Sequence, residues 1–140
     1  MGGDLGPSEV VLGIANSASM NPEAKFIIHG DSSALSKLIK KKSIQDKCRI
    51  VGAKDIVSMD QKPSYIIRHG KNTSMWSAIQ SVRVGEANVC VSCGNTGALM
   101  ALSMLRLRKS PGVNRPAIAC LWPSRNELGF NIVLDVGANT

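Results

Sequence analysis

Residues 93–97, Cys-Gly-Asn-Thr-Gly, place two glycines, an amide and a hydroxyl at a seam. An apolar, strand-like run (residues 88–92) ends there, and an apolar, helix-like run begins at Ala98. Glycines at such a seam allow a tight turn to close. They also let an anion approach the unpaired N–H groups and partial positive charge at a helix start. Residues 94–97 therefore read either as plain turn chemistry or as a cradle for a phosphate-like group. Two further polar or Gly-rich turns, residues 1–6 and 135–139, have similar character.

Other phosphate-site patterns are missing. The chain has no G-x-x-x-x-G-K-[ST], which excludes a P-loop nucleoside triphosphatase, and no G-x-G-x-x-G, which weakens a dinucleotide reading. Cys90 and Cys93 form a C-x-x-C, but no second pair exists and His29 and His69 lack ligand spacing. In a strand, positions three apart face opposite ways, so the two thiols are not expected to cooperate. Neither a metal nor a cofactor is expected.

The 140 residues have 44% hydrophobic content and a net charge of +7. That length suits one domain, or part of one, and the composition argues against wholesale disorder. Only five aromatics are present, so the core must be aliphatic. No apolar run approaches the ~20 residues needed to span a bilayer, and no secretory leader opens the chain, so a cytoplasmic location is expected. The basic residues gather at Lys37, Lys40, Lys41, Lys42 and Lys47 and again at Arg106, Arg108 and Lys109. An acidic partner would suit them, but nucleic acid is not expected, because no aromatic stacking platform accompanies the charge.

The elements that must position the turn follow from periodicity and breakers. Helices are expected over residues 7–18, from 32 to about 41 behind a Gly30-Asp31-Ser32 cap, over 74–84 and over 96–109, with one helical turn or two over 63–69. Strands are expected over residues 25–29, 48–51, 88–92, 116–121 and 131–136. The helix over 96–109 is apolar nearly all round until Arg106, which implies burial by the domain or by a partner subunit. Strands alternating with helices indicate an α/β domain with a largely parallel sheet, where ligands collect outside the C-terminal strand ends. The turn at residues 1–6 has no strand before it, and residues 135–140 form a turn with nothing after it. The expectation is a single, incomplete α/β domain over 1–140, cut at both ends.

The segments "MGGDLGP", "MDQKPS", "KNTSM", "SCGNTGALMA", "PGVNRPAIA" and "LDVGAN" occur in that order. Together they closely resemble the N-terminal part of the bacterial acyl-carrier-protein:phosphate acyltransferases of phospholipid synthesis. Members of that family usually have Ala at the place of Cys93. The resemblance implies a three-layer α/β/α sandwich related to phosphate acetyltransferases and isopropylmalate dehydrogenases, usually homodimeric and peripheral to the membrane. It implies a reaction of acyl carrier protein thioester with inorganic phosphate to give acyl phosphate. A membrane glycerol-3-phosphate acyltransferase would consume that product.

That chemistry assigns expected roles. Residues 94–97 would hold phosphate or the carbonyl oxyanion, with Asn95 and Thr96 donating side-chain hydrogen bonds and Gly94 and Gly97 giving backbone access. Gly2, Gly3 and Asp4 would form a second wall, and Asp135 and Asn139 a third. Lys71 and Arg68 are candidates for neutralising phosphate charge, with Ser74 capping a helix nearby, although Lys71 reads equally as a surface lysine. No general base is evident. Lys40, Lys41 and Lys42 would attract the acidic carrier protein. Two other readings stay open: an inactive fragment that only binds phosphate or a partner, and a short-chain phosphate acetyl- or butyryltransferase using coenzyme A.

Overall fold

The computed structural model describes residues 3–113 and 117–135. The chain divides into two compact units, Met1–Leu107 and Arg108–Thr140.

The first unit opens with helix α1, Pro7–Met20, started by Pro7 without a side-chain cap. Strand β1, Phe26–Gly30, follows, then α2, Ser32–Lys41. Asp31 caps α2 as its sequence predicts: one carboxylate oxygen accepts from the N–H groups of Ser33 and Ala34, at 2.8 and 3.1 Å. These bonds and the Ser33 hydroxyl hold the Asp31 carboxyl below the usual carboxylate range, the hydroxyl being the largest cause. A 3-10 turn, Gln45–Lys47, leads into β2, Cys48–Gly52.

β1 and β2 pair in parallel from Phe26 opposite Cys48 to Gly30 opposite Gly52. Because the strands are parallel, α2 must carry the chain back to the edge where β1 began. Its start therefore lies at the C-terminal edge of the pair, and Lys40, Lys41 and Lys42 lie near the other edge. Ten residues at 1.5 Å each separate the two by roughly 15 Å. Leu35 and Ile39 of α2 pack with Val11, Ile28 and Ile44 in one aliphatic core.

Beyond β2 the chain forms α3, Pro63–His69, a 3-10 turn, Gly70–Asn72, α4, Ser74–Arg83, and α5, Thr96–Leu107. α3 and α4 both pack on α5, around a second core of Val57, Ile66, Met75, Ile79, Ala98 and Leu102. The Arg106 guanidinium lies over the Trp76 ring at 4.4 Å and donates to Gln80 Oε1, tying α5 to α4.

Three expectations need correction. Residues 88–92 form no strand: they have no ladder partner among the described residues, and Val89 and Val91 are 71% and 84% exposed. Cys90 between them packs on the second core, so the alternation is real while the pairing that defines a strand is missing. Of the two covers expected for α5, the domain or a partner subunit, the domain supplies only one stripe, because Met104, Leu105 and Leu107 are exposed within this chain. The cap of α4 is Thr73, whose hydroxyl accepts from Trp76 N–H at 3.2 Å, and Ser74 is the buried first residue.

The second unit holds β3, Ala119–Pro123, and β4, Phe130–Leu134, which pair antiparallel. The sequence pattern predicts two strands here, in a largely parallel sheet. The six-residue connection decides otherwise, since a parallel crossover needs a dozen residues or more. The described architecture is thus mixed α/β, with a small parallel pair and a separate hairpin.

Candidate functional site

The seam at residues 93–97 lies at the start of α5, and Asn95 organises it. Its side chain is buried, with Oδ1 accepting from Ala98 N–H at 2.9 Å and its backbone oxygen accepting from Leu99 N–H at 3.0 Å. This is a helix cap. Its Nδ2 donates toward three carbonyl oxygens, those of Ser58, Met59 and Gln61, at 3.3, 3.0 and 2.9 Å. An amide nitrogen has two hydrogens, so the three acceptors use its whole donor capacity. Asn95 therefore fastens the loop at residues 58–61 to the helix start. Its donors are occupied in this structure, unlike the direct phosphate donor that the sequence suggests.

The backbone remains available. The N–H groups of Thr96 and Gly97 have no hydrogen-bond partner among the described residues, as expected in a first helical turn. The Thr96 side chain is exposed. Gly94 N–H is engaged, donating to Ser92 Oγ at 3.1 Å. Gly97 has a packing reason of its own: a β-carbon there would lie 3.0 Å from Pro63 Cγ, so glycine lets α3 press against α5.

Gly3 brings a second turn to this place. Its φ is +90°, and a β-carbon on it would lie 2.7 Å from the Cys93 carbonyl oxygen. No other residue type fits that combination without displacement. The turns at residues 3–6 and 93–97 thus touch. Asp4 is exposed. Gly2 and Asn139 lie outside the described residues. Asp135 is in the second unit with φ +60°, its N–H donating to Ile118 O at 2.7 Å.

Lys71 sits exposed in the Gly70–Asn72 turn, and Arg68 is exposed in the last turn of α3. Neither is in an ion pair among the described residues. The two cysteines of the C-x-x-C occupy different settings: burial pushes the Cys90 thiol up, and Cys93 is exposed. No group of three or more metal-ligating side chains occurs among the described residues.

Two features had no obvious sign in the sequence. The loop carbonyls that receive Asn95 are backbone atoms and leave no trace in residue type. His29, near the end of β1, is buried with Nδ1 2.9 Å from Ser77 Oγ, and burial is the largest cause lowering its pKa below 6.5. An isolated His in an apolar strand was the only hint.

A family model described as "Fatty acid synthesis protein" matches residues 1–140. The chain belongs to that family. It is 62% identical to a phosphate acyltransferase of Jannaschia sp. (strain CCS1) over 99% of its own length and 38% of the relative's. It is 64% identical to a phosphate acyltransferase of Cereibacter sphaeroides (strain ATCC 17025 / ATH 2.4.3), with the same coverage. A phosphate acyltransferase of Dinoroseobacter shibae is 61% identical, over 99% of this chain and 36% of the relative. The chain thus spans well under half the length of these curated relatives. Among its described residues no helix is long and apolar enough to cross a membrane.

Proposed function

We propose that the chain is the N-terminal part of an acyltransferase that transfers an acyl group from acyl carrier protein to inorganic phosphate. The observation that carries the reading is the contact of Gly3 with Cys93, which sets two glycine turns side by side at the start of α5. The names of its relatives fit it.

The geometry suggests how the residues act. A phosphate oxygen attacks the thioester carbonyl carbon, the C–S bond breaks, and the thiolate departs on the carrier. The Thr96 and Gly97 N–H groups, with the partial charge of α5, hold the phosphate or the carbonyl oxyanion. Asn95 is a positioning residue, fixing the helix start against residues 58–61. Gly3 and Asp4 supply the facing wall. Lys71 is retained as a neutralising cation, and Asp135 and Asn139 as a third wall in the whole protein. That protein would be a homodimeric three-layer α/β/α sandwich, cytoplasmic and peripheral to the membrane. Its acyl phosphate would pass to a membrane glycerol-3-phosphate acyltransferase.

The test is hydroxylamine trapping of acyl phosphate after incubation with acyl carrier protein and phosphate. Product that depends on phosphate, and that falls when Gly3 is changed to Ala, supports the reading. Thioester hydrolysis without acyl phosphate contradicts it. A second reading draws on the 38% coverage of the relatives: the chain binds phosphate or carrier but turns over only with the remaining sequence. Faster reaction with acetyl- or butyryl-coenzyme A than with the carrier thioester would instead mark a short-chain enzyme.

A further inference from the structure

We infer that the cleft beside α3 receives the phosphodiester-tipped amide arm on which the acyl thioester is presented, an assignment that rests on the acyl-transfer reading above and deepens it. The cleft has a volume of about 410 Å³, within the usual range for small-molecule sites. It lies past the C-terminal end of β2, on the side of the parallel pair where ligands collect.

Its lining matches such an arm group by group. Tyr65 and His69, one helical turn apart on α3, stack at 4.4 Å with 25° between their rings. They form a flat, partly apolar wall, continued by Ile66. His69 Nδ1 lies 3.1 Å from the Tyr65 carbonyl oxygen. A carbonyl accepts only from a protonated nitrogen, so the neutral ring keeps Nε2 as an acceptor for an amide N–H. Gln61 Oε1 accepts from Ser58 N–H at 3.0 Å, which leaves its NH₂ to donate to an amide carbonyl. Lys54 supplies an ammonium with no ion-pair partner among the described residues. The Asp55 carboxylate also lines the cleft and can accept from an amide N–H or a hydroxyl, so one cation, one carboxylate, an amide donor, an imidazole acceptor and an apolar wall meet a phosphate joined to a hydroxylated amide chain. Free phosphate would use the cation and leave the wall uncovered.

The cleft also connects to the reacting end. Gln61 lines it, and the Gln61 carbonyl is one of the three that bind Asn95. α3 runs from Pro63, against Gly97, to His69 in the cleft, about 10 Å for seven residues. An arm seated with its phosphate at Lys54 can run along α3 and deliver its sulfur to the start of α5.

The experiment is a titration of the 140-residue chain with 4′-phosphopantetheine and with pantetheine, followed by amide chemical shifts. The phosphorylated compound should bind about tenfold more tightly, the size of one charge-assisted hydrogen bond. Shifts should centre on Lys54, Gln61 and His69. Lys54→Met should remove the tenfold advantage without weakening pantetheine, Lys54→Arg should restore most of it, and Tyr65→Ala should weaken both compounds alike. Coenzyme A separates the sources of the arm: weaker binding than 4′-phosphopantetheine indicates a carrier-borne arm, and equal or tighter binding indicates a coenzyme. Equal affinity for the two pantetheine compounds, shifts remote from the cleft, or full competition by inorganic phosphate would overturn the assignment. None of these readouts needs turnover, so loss of acyl phosphate with arm binding intact refutes the acyl-transfer reading alone.

Discussion

The two edges of the β1–β2 pair carry clefts of similar size, about 430 Å³ at the N-terminal edge and about 410 Å³ at the C-terminal edge. Their chemistry differs. The N-terminal cleft contains Arg49 and Glu86, which pair with each other at 2.5 Å, and the Arg49 hydrogen bond is the main reason the Glu86 carboxyl sits below its usual value. Lys47, beside them, donates to the Pro22 carbonyl. At the C-terminal edge Lys54 is in no ion pair among the described residues, and at the start of α5 the Thr96 and Gly97 N–H groups have no hydrogen-bond partner among them. Lys25 and Asp46 also line the N-terminal cleft and Lys54 and Asp55 the C-terminal one, so what separates the edges is the Arg49–Glu86 pair at one and the backbone donors of a helix start at the other. Concavity alone does not mark a site, whereas unspent donors next to a rigid helix start do.

The largest effect should come from Asn95. Asn95→Ala removes a cap and the partner of three loop carbonyls, and should lower stability by about 2–3 kcal/mol in urea unfolding. A loss below about 0.5 kcal/mol would mean that the loop at residues 58–61 does not depend on it. Gly3→Ala comes next. Its positive φ and the close Cys93 carbonyl should force the two turns apart, costing about 1–2 kcal/mol and at least fivefold in phosphate affinity. Unchanged phosphate binding in a folded Gly3→Ala protein would separate the turns functionally.

Acid should distinguish the edges. His29 has a lowered folded pKa, so the unfolded chain takes up its proton first. The stability it contributes is complete above about 6.5 and is lost as pH falls through the lower folded value. Glu86 is also depressed in the folded state, and its contribution is complete above 4.5 and lost below that. Stability against pH should therefore fall in two stages, and His29→Gln should remove the upper one. The smallest effect is expected at Lys40, Lys41 and Lys42. They lie roughly 15 Å from the ligand edge along α2, so changing all three to Glu should alter carrier-protein KM by less than about twofold. Glu at Lys71 and at Lys62, the exposed residue just before α3, should alter it more. The reverse order would move the carrier to the N-terminal edge.

Much of this was legible in the residues. Asp31 before a run with Leu35 and Ile39 on one face gave α2 and its cap, and Cys-Gly-Asn-Thr-Gly before an apolar run gave the start of α5. The failures share a cause, because each depends on a partner that sequence does not name. Val89 and Val91 alternate as a strand should, but a strand exists only when another backbone pairs with it. Phe130–Leu134 reads as a strand in any sheet, and connection length rather than composition made it antiparallel. Asn95 stands out in the sequence as a donor to a ligand, but its amide points at backbone carbonyls that carry no residue signature. The same residue type at the same spacing serves a ligand or a loop.

The central claim, that the start of α5 beside Gly3 is the phosphate site, is tested most directly by titrating the isotope-labelled chain with inorganic phosphate and following its amide resonances. The account predicts saturable shifts largest at Thr96, Gly97 and Gly3, with little change at Lys40, Lys41 and Lys42. Shifts that scatter over the lysines of α2, or a Thr96–Gly97 pair that does not respond, would contradict it.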